Sequence, residues 1–98
     1  MVFEIELERQ RSAALSTVTA YGDIDGQSAD HVSEILRMAS SAPRVVIDLA
    51  RVRRMEGDGL AALVSGIERL RESGGDVQVV ATAALSEVLA DSGVGLTA

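Results

Sequence analysis

The most constraining feature of the sequence is an apolar segment near its middle, Arg44–Leu49, which reads RVVIDL. A strand with one face in water usually alternates apolar and polar residues, whereas three β-branched residues follow one another here. This lack of alternation predicts a central strand that is covered on both faces. Such a strand needs packed layers around it, and helices are the usual cover in α/β proteins.

Periodicity on either side of this strand predicts three more strands and three helices. The strands are predicted at Val2–Leu7, Ala14–Tyr21 and Val77–Val80. The helices are predicted from Ser28 to about Ser40, from about Asp58 to Glu72, and from Thr82 to Gly93, with Ser28, Asp58 and Thr82 as N-caps. Turns or loops are expected at Glu8–Ser12, Gly22–Gly26 and Ala50–Gly57.

The predicted order of elements is β-β-α-β-α-β-α, with a helix between each pair of later strands. Helical crossovers join parallel strands, and the initial hairpin adds one antiparallel edge. The expected fold is therefore α/β, a mixed sheet of four to five strands covered by three or more helices. Because the chain has 98 residues and shows no linker or repeat, residues 1–98 are expected to form a single domain.

Composition excludes several classes of function. The chain carries 15 acidic and 9 basic residues, a net charge of −6, which is the wrong sign for binding nucleic acid or anionic membranes. No apolar run approaches the roughly 20 residues that span a bilayer, and the N-terminus does not resemble a signal peptide. There is no cysteine. We expect a cytoplasmic protein that binds no nucleic acid and does not insert directly into a membrane.

The side chains that catalysis requires are scarce. His31 is the single histidine, and no nucleophile lies near it in the sequence. The glycines around Asp58 do not form a phosphate-binding loop, because the G-x-x-x-x-G-K-[ST] pattern is absent. Four acids in turns, Asp23, Asp25, Glu56 and Asp58, could offer oxygen ligands to a cation, although capping is the commoner role of such residues. We expect no enzymatic activity, no cofactor and no metal.

The stretch Arg51–Leu60 is the one unusual segment, since three arginines lead into two carboxylates directly before an apolar helix. An exposed, charged loop of this kind is a candidate docking surface. On the following helix, Gly59, Ala62 and Gly66 share one face, where either the third helix or a partner could pack closely. The predicted partner-binding residues are Asp25, Arg54, Glu56, Gly57, Asp58, Gly59, Leu60 and Ala62.

Three of these segments together resemble the STAS domains of anti-sigma-factor antagonists and sulphate transporters. Gly22–Asp25 matches the G-x-[IL]-D turn that follows the second strand in that family, and Val45–Leu49 matches its strand ending in D-L. Glu56–Leu60 occupies the place of the family loop D-S-[ST/A]-G-[LI], which opens a helix. The resemblance covers nearly the whole chain and implies the α/β fold expected above.

The resemblance implies a partner switch in which the domain binds an anti-sigma kinase until a loop serine is phosphorylated. That serine position is Gly57 here, so no phosphorylation at the family site is expected. An alternative is implied by the short STAS subunits of bacterial lipid-transport ABC complexes, which bind an ATPase subunit. They carry a comparable L-x-R-V-x-R segment, found here at Leu49–Arg54. The implied partner is thus an anti-sigma factor or another ATPase-type protein.

Overall fold

The computed structural model describes residues 3–10, 15–40 and 42–91 and confirms the predicted α/β fold. The elements follow the predicted order. The strands are β1 (Phe3–Gln10), β2 (Leu15–Ile24), β3 (Arg44–Met55) and β4 (Asp76–Val80). The helices are α1 (Ala29–Ala39), α2 (Gly57–Glu72) and α3 (Ala83–Asp91).

The four strands form one mixed sheet in the order β1-β2-β3-β4. β1 pairs antiparallel with β2, while β2, β3 and β4 are parallel to one another. Arg44–Leu49 therefore lies in an interior strand, as the sequence predicts. The parallel pairs β2–β3 and β3–β4 are joined through α1 and α2, the crossover arrangement expected for parallel neighbours.

The prediction that β3 is covered on both faces is wrong. Val45, Ile47 and Leu49 are buried, whereas Val46 and Asp48 between them are only half-buried. The register places buried residues of β2 and β4 beside Ile47, so one face of the sheet carries the core. The buried hydrophobic residues of all three helices belong to this same apolar cluster. Helices therefore pack on one face, and β3 presents Val46 and Asp48 on the other.

β3 is longer than predicted, so the expected loop at Ala50–Gly57 is wrong over most of its length. The pairing of β2 with β3 shifts twice, and each shift leaves one extra residue in β3, which is a β-bulge. Burial in this half of the strand therefore recurs every third residue, at Leu49, Val52 and Met55. The side chains between them, including all three arginines, are exposed.

Other element boundaries also differ from the sequence-based expectation. β1 continues to Gln10 and β2 to Ile24, so the predicted turns at Glu8–Ser12 and Gly22–Gly26 are partly strand. Pairing with neighbouring strands extends both elements through residues of low strand propensity. The predicted end of the third helix at Gly93 lies outside the described residues.

The three predicted N-caps have different outcomes. The Thr82 hydroxyl accepts a hydrogen bond from the Leu85 N–H at 3.3 Å, which confirms its role. Ser28 does precede α1, but its side chain makes no capping bond to that helix. The prediction that Asp58 caps α2 is wrong, because the extended residue Glu56 holds that position and Asp58 lies inside the first turn. The Asp58 carboxylate there still suits the positive end of the helix.

Within the described ranges, no helix is both long enough and apolar enough to cross a membrane.

Candidate partner-binding surface

The carboxyl ends of β2 and β3 lie side by side and bring two separate loops together. The Glu56 N–H donates to the Ile24 carbonyl at 2.9 Å, so the start of α2 is joined to the end of β2. Asp25 follows Ile24 directly and opens the connection to α1. Residues that are about 30 positions apart in the sequence therefore form one surface at this edge of the sheet.

A tight turn fixes the connection from β2 to α1. The Ser28 hydroxyl accepts from the Asp25 N–H at 2.9 Å and donates to the Asp25 carbonyl at 3.1 Å. One Asp25 carboxylate oxygen accepts from the Gln27 N–H at 3.0 Å. The Ser28 side chain is thus used to hold the turn, which explains why it leaves the helix uncapped.

Gly59 attaches α2 to this turn. It is buried, and a Cβ atom at this position would overlap the backbone of Asp25. Only glycine lets the helix backbone come so close. Gly59 is therefore an internal packing residue, and the prediction that it contacts a partner directly does not agree with its position.

The exposed part of the surface is formed by Glu56, Gly57 and Asp58 at the start of α2. Arg54 approaches from the end of β3, and its Nη2 atom donates to Glu56 Oε1 at 2.6 Å. Both side chains are 58% exposed, so this pair contributes little to stability and is open to a partner. Leu60 is half-buried and lies with Gly57 along one shallow depression.

Sequence reasoning missed the relation between Asp23 and Arg53. The Asp23 side chain is only 12% exposed, and Arg53 Nε lies 3.7 Å from its Oδ1 atom. This distance is too long for a hydrogen bond, and Oδ1 has no hydrogen-bond partner. Nearby, the Arg51 guanidinium stacks over the Tyr21 ring at 5.6 Å. Both contacts depend on the bulges of β3, for which the sequence offers no clear signal.

The small residues of α2 face α1 and the turn before it. Gly66 packs so closely on Leu36 of α1 that a Cβ atom would overlap the leucine side chain. Ala62 is half-buried and lines the groove between the two helices. Of the two alternatives for this face, packing by the third helix is therefore wrong, because α1 occupies that place.

Five of the eight predicted partner-binding residues come together as exposed or half-exposed groups at one edge: Asp25, Arg54, Glu56, Gly57 and Asp58. Leu60 borders this set, whereas Gly59 and Ala62 are turned towards the rest of the domain. Over the described ranges, no three His, Asp or Glu side chains are placed to hold a metal ion together.

Comparisons with known proteins identify the family and the fold. A family model described as "Mlab, STAS domain" matches residues 7–95. No curated protein matches the sequence. Among solved structures, an anti-sigma-factor antagonist from Mycobacterium paratuberculosis is similar at 27% identity and a TM-score of 0.76, over 94% of this chain and 79% of that one.

Two more distant structures share the fold. The phosphorylated form of the Bacillus cell fate determinant SpoIIAA is 14% identical with a TM-score of 0.70, over 92% of this chain and 84% of that one. An antisigma-factor antagonist STAS domain from Rhodobacter sphaeroides is 22% identical with a TM-score of 0.66, over 81% and 86%. The fold is that of the anti-sigma-factor antagonists. The chain belongs to the STAS domain family.

Proposed function

We propose that this STAS domain is a non-enzymatic antagonist that binds a kinase-like anti-sigma factor and so regulates sigma-dependent transcription. The proposal rests on the exposed start of α2, Glu56–Asp58. This segment lies against the Asp25 turn and occupies the position of the family's switch loop. The similarity to an anti-sigma-factor antagonist over 94% of the chain supports the same class of partner. A pulldown from the native cell, with the main partner identified, is the direct test.

The proposed antagonist works without phosphorylation at the family site. Gly57 has no hydroxyl, and its position is exposed and open to a partner. The two neighbouring acids are poor substitutes for a phosphoserine, which carries about −1.5 to −2 charges at one point. The Glu56 carboxylate is already paired with Arg54, and Asp58 complements the positive end of α2. The unmodified domain is therefore the binding-competent form.

The variant Asp58→Arg is expected to weaken partner binding by at least about tenfold, since it reverses a charge in the centre of the proposed contact. Titration calorimetry with the purified partner measures this loss. Glu68→Arg is the matched control, because Glu68 is an exposed acid of the same helix outside the surface. Both variants should stay folded. Asp58→Arg should lower the free energy of unfolding by at most about 1 kcal/mol, because it places a cation at the positive end of the helix dipole. Equal affinities of the two variants would place the partner elsewhere.

Restoring the family loop with Gly57→Ser and Glu56→Asp is expected to create a phosphorylation site. Gly57 has φ +58°, so serine costs roughly 1–2 kcal/mol of strain there, but a Cβ atom meets no neighbour within 4 Å. Phosphate incorporation from ATP by the kinase-like partner should occur in the double variant and not in the wild type. The phosphorylated variant should then release the partner. Phosphate uptake by the wild-type loop would refute the proposal.

The alternative partner is the ATPase subunit of a lipid-transport ABC complex. The observation in its favour is the bulged end of β3, where the L-x-R-V-x-R segment exposes Arg51, Arg53 and Arg54 beside the same surface. In addition, the description of the matching family model names Mlab and does not name an anti-sigma-factor antagonist. Recovery of an ABC ATPase in the pulldown, with no kinase-like protein, would favour this function over the first.

A further inference from the structure

A groove of about 130 Å³ runs between α1 and α2, and none of the residues Glu56–Asp58 lines it. Its floor is apolar and is formed by Leu36, Ala62, Gly66 and Leu70. The absence of a side chain at Gly66 leaves room for the Leu36 side chain, so the two helices pack closely there. The volume is that of roughly four water molecules, so a short apolar group fits.

The rim of the groove is basic, although the protein as a whole is acidic. Arg37 contributes from α1 and Arg69 from α2, and Ser33 adds a hydroxyl. Among the described residues no carboxylate lines the groove, even though the sequence carries 15 acids against 9 basic residues. An arginine pair above an apolar floor is complementary to a ligand with an anionic head and an apolar tail.

Neither arginine is needed to cap its helix. The last carbonyls of α1 and α2 already accept from backbone N–H groups and from hydroxyls, with Ser40 donating to the Arg37 carbonyl at 2.6 Å and Ser73 to the Leu70 carbonyl at 2.8 Å. Arg37 approaches Glu34 only at 3.8 Å, in a largely exposed pair. Arg69 forms no ion pair with any residue that the structure describes. The Arg69 guanidinium is therefore available to an incoming anion, and Arg37 can exchange its loose, exposed contact with Glu34 for one.

We propose that the groove between α1 and α2 binds a small organic anion, an alkyl phosphate or carboxylate with a short apolar tail. The tail lies on Leu36, Ala62 and Leu70, and the head group accepts hydrogen bonds from Arg37, Arg69 and Ser33. The apolar floor supplies most of the affinity, since exposed ion pairs alone contribute little. Inorganic phosphate by itself is consequently a poor ligand.

Hexyl phosphate is the probe for a first test, by amide chemical-shift titration of the wild-type protein. Saturable shifts are expected at Ser33, Leu36, Ala62 and Gly66. Across propyl, butyl, pentyl and hexyl phosphate, affinity should rise by up to about fourfold per added methylene and stop rising once the groove is filled. Three further probes separate the contributions to binding. Hexanol tests the tail alone, inorganic phosphate tests the head group alone, and vesicles of anionic phospholipid test binding to a lipid surface. No saturable shift with hexyl phosphate, or shifts confined to other elements, would overturn the proposal.

The arginines are tested by Arg37→Gln, Arg69→Gln and the double variant, with Arg44→Gln as the matched control at the start of β3. Arg44 is also an exposed arginine in a loose ion pair, with Asp76 at 3.5 Å. We expect the double variant to lose at least about tenfold in affinity for hexyl phosphate, while the control keeps wild-type affinity. Ala62→Leu should fill the groove and abolish binding in a folded protein. Unchanged affinity in the double variant would refute the assignment.

Discussion

Replacing Gly59 by alanine is expected to destabilise the protein by about 1–3 kcal/mol, the usual cost of overpacking. The added Cβ atom would overlap the backbone of Asp25, which cannot rotate away as a side chain could. The gain in helix propensity from glycine to alanine, about 1 kcal/mol, offsets only part of this cost. Urea denaturation followed by circular dichroism measures the loss in free energy of unfolding. Gly59→Val should lose more, at or above the upper end of that range.

Two other glycines serve as matched controls for Gly59→Ala. Gly26→Ala adds a methyl group in open space on the same surface, so its effect should stay within about 0.5 kcal/mol. Gly66→Ala meets the end of the flexible Leu36 side chain, which can move, and we expect a smaller loss than at Gly59. A Gly59→Ala protein as stable as Gly26→Ala would show that α2 does not approach the Asp25 turn this closely.

Ile47→Ala is expected to cost about 2–5 kcal/mol, because it removes a fully buried side chain from the centre of the sheet. Val46→Ala, one residue earlier on the opposite face, should cost less than about 1 kcal/mol. Val46 is half-buried, and within the described ranges no helix covers its face of the sheet. The same denaturation experiment compares the two variants. Similar losses at both positions would instead support a strand that is covered on both faces.

The order of elements and the interior position of β3 could be predicted because each depends on local periodicity. The helical spacing of Leu63, Ile67 and Leu70 places one side of α2 on the core, and these three residues are buried as the pattern predicts. The coverage of β3 could not be predicted in this way. A β-branched run has the same appearance whether its second face meets a helix or water, since these residues suit both surroundings.

The residues of the candidate surface could be predicted from the sequence, but the contacts that hold them together could not. Glu56–Asp58 and Asp25 were recognisable from the family loops, and the structure brings them to one edge. The bulges of β3 were not recognisable, because they depend on its pairing with β2. Helical spacing also assigned Gly59, Ala62 and Gly66 to one face correctly. Periodicity alone could not indicate that α1, rather than α3, packs against it, since the choice of neighbour is a long-range property.

The close contact of Gly59 with the Asp25 turn has a consequence for how binding energy is used. The two halves of the surface are joined by backbone contacts and by the Ile24–Glu56 hydrogen bond, so they form one connected platform before any partner arrives. A partner then loses little affinity to the entropy of ordering a loop. On such a platform the exposed side chains can be exchanged without rebuilding the backbone.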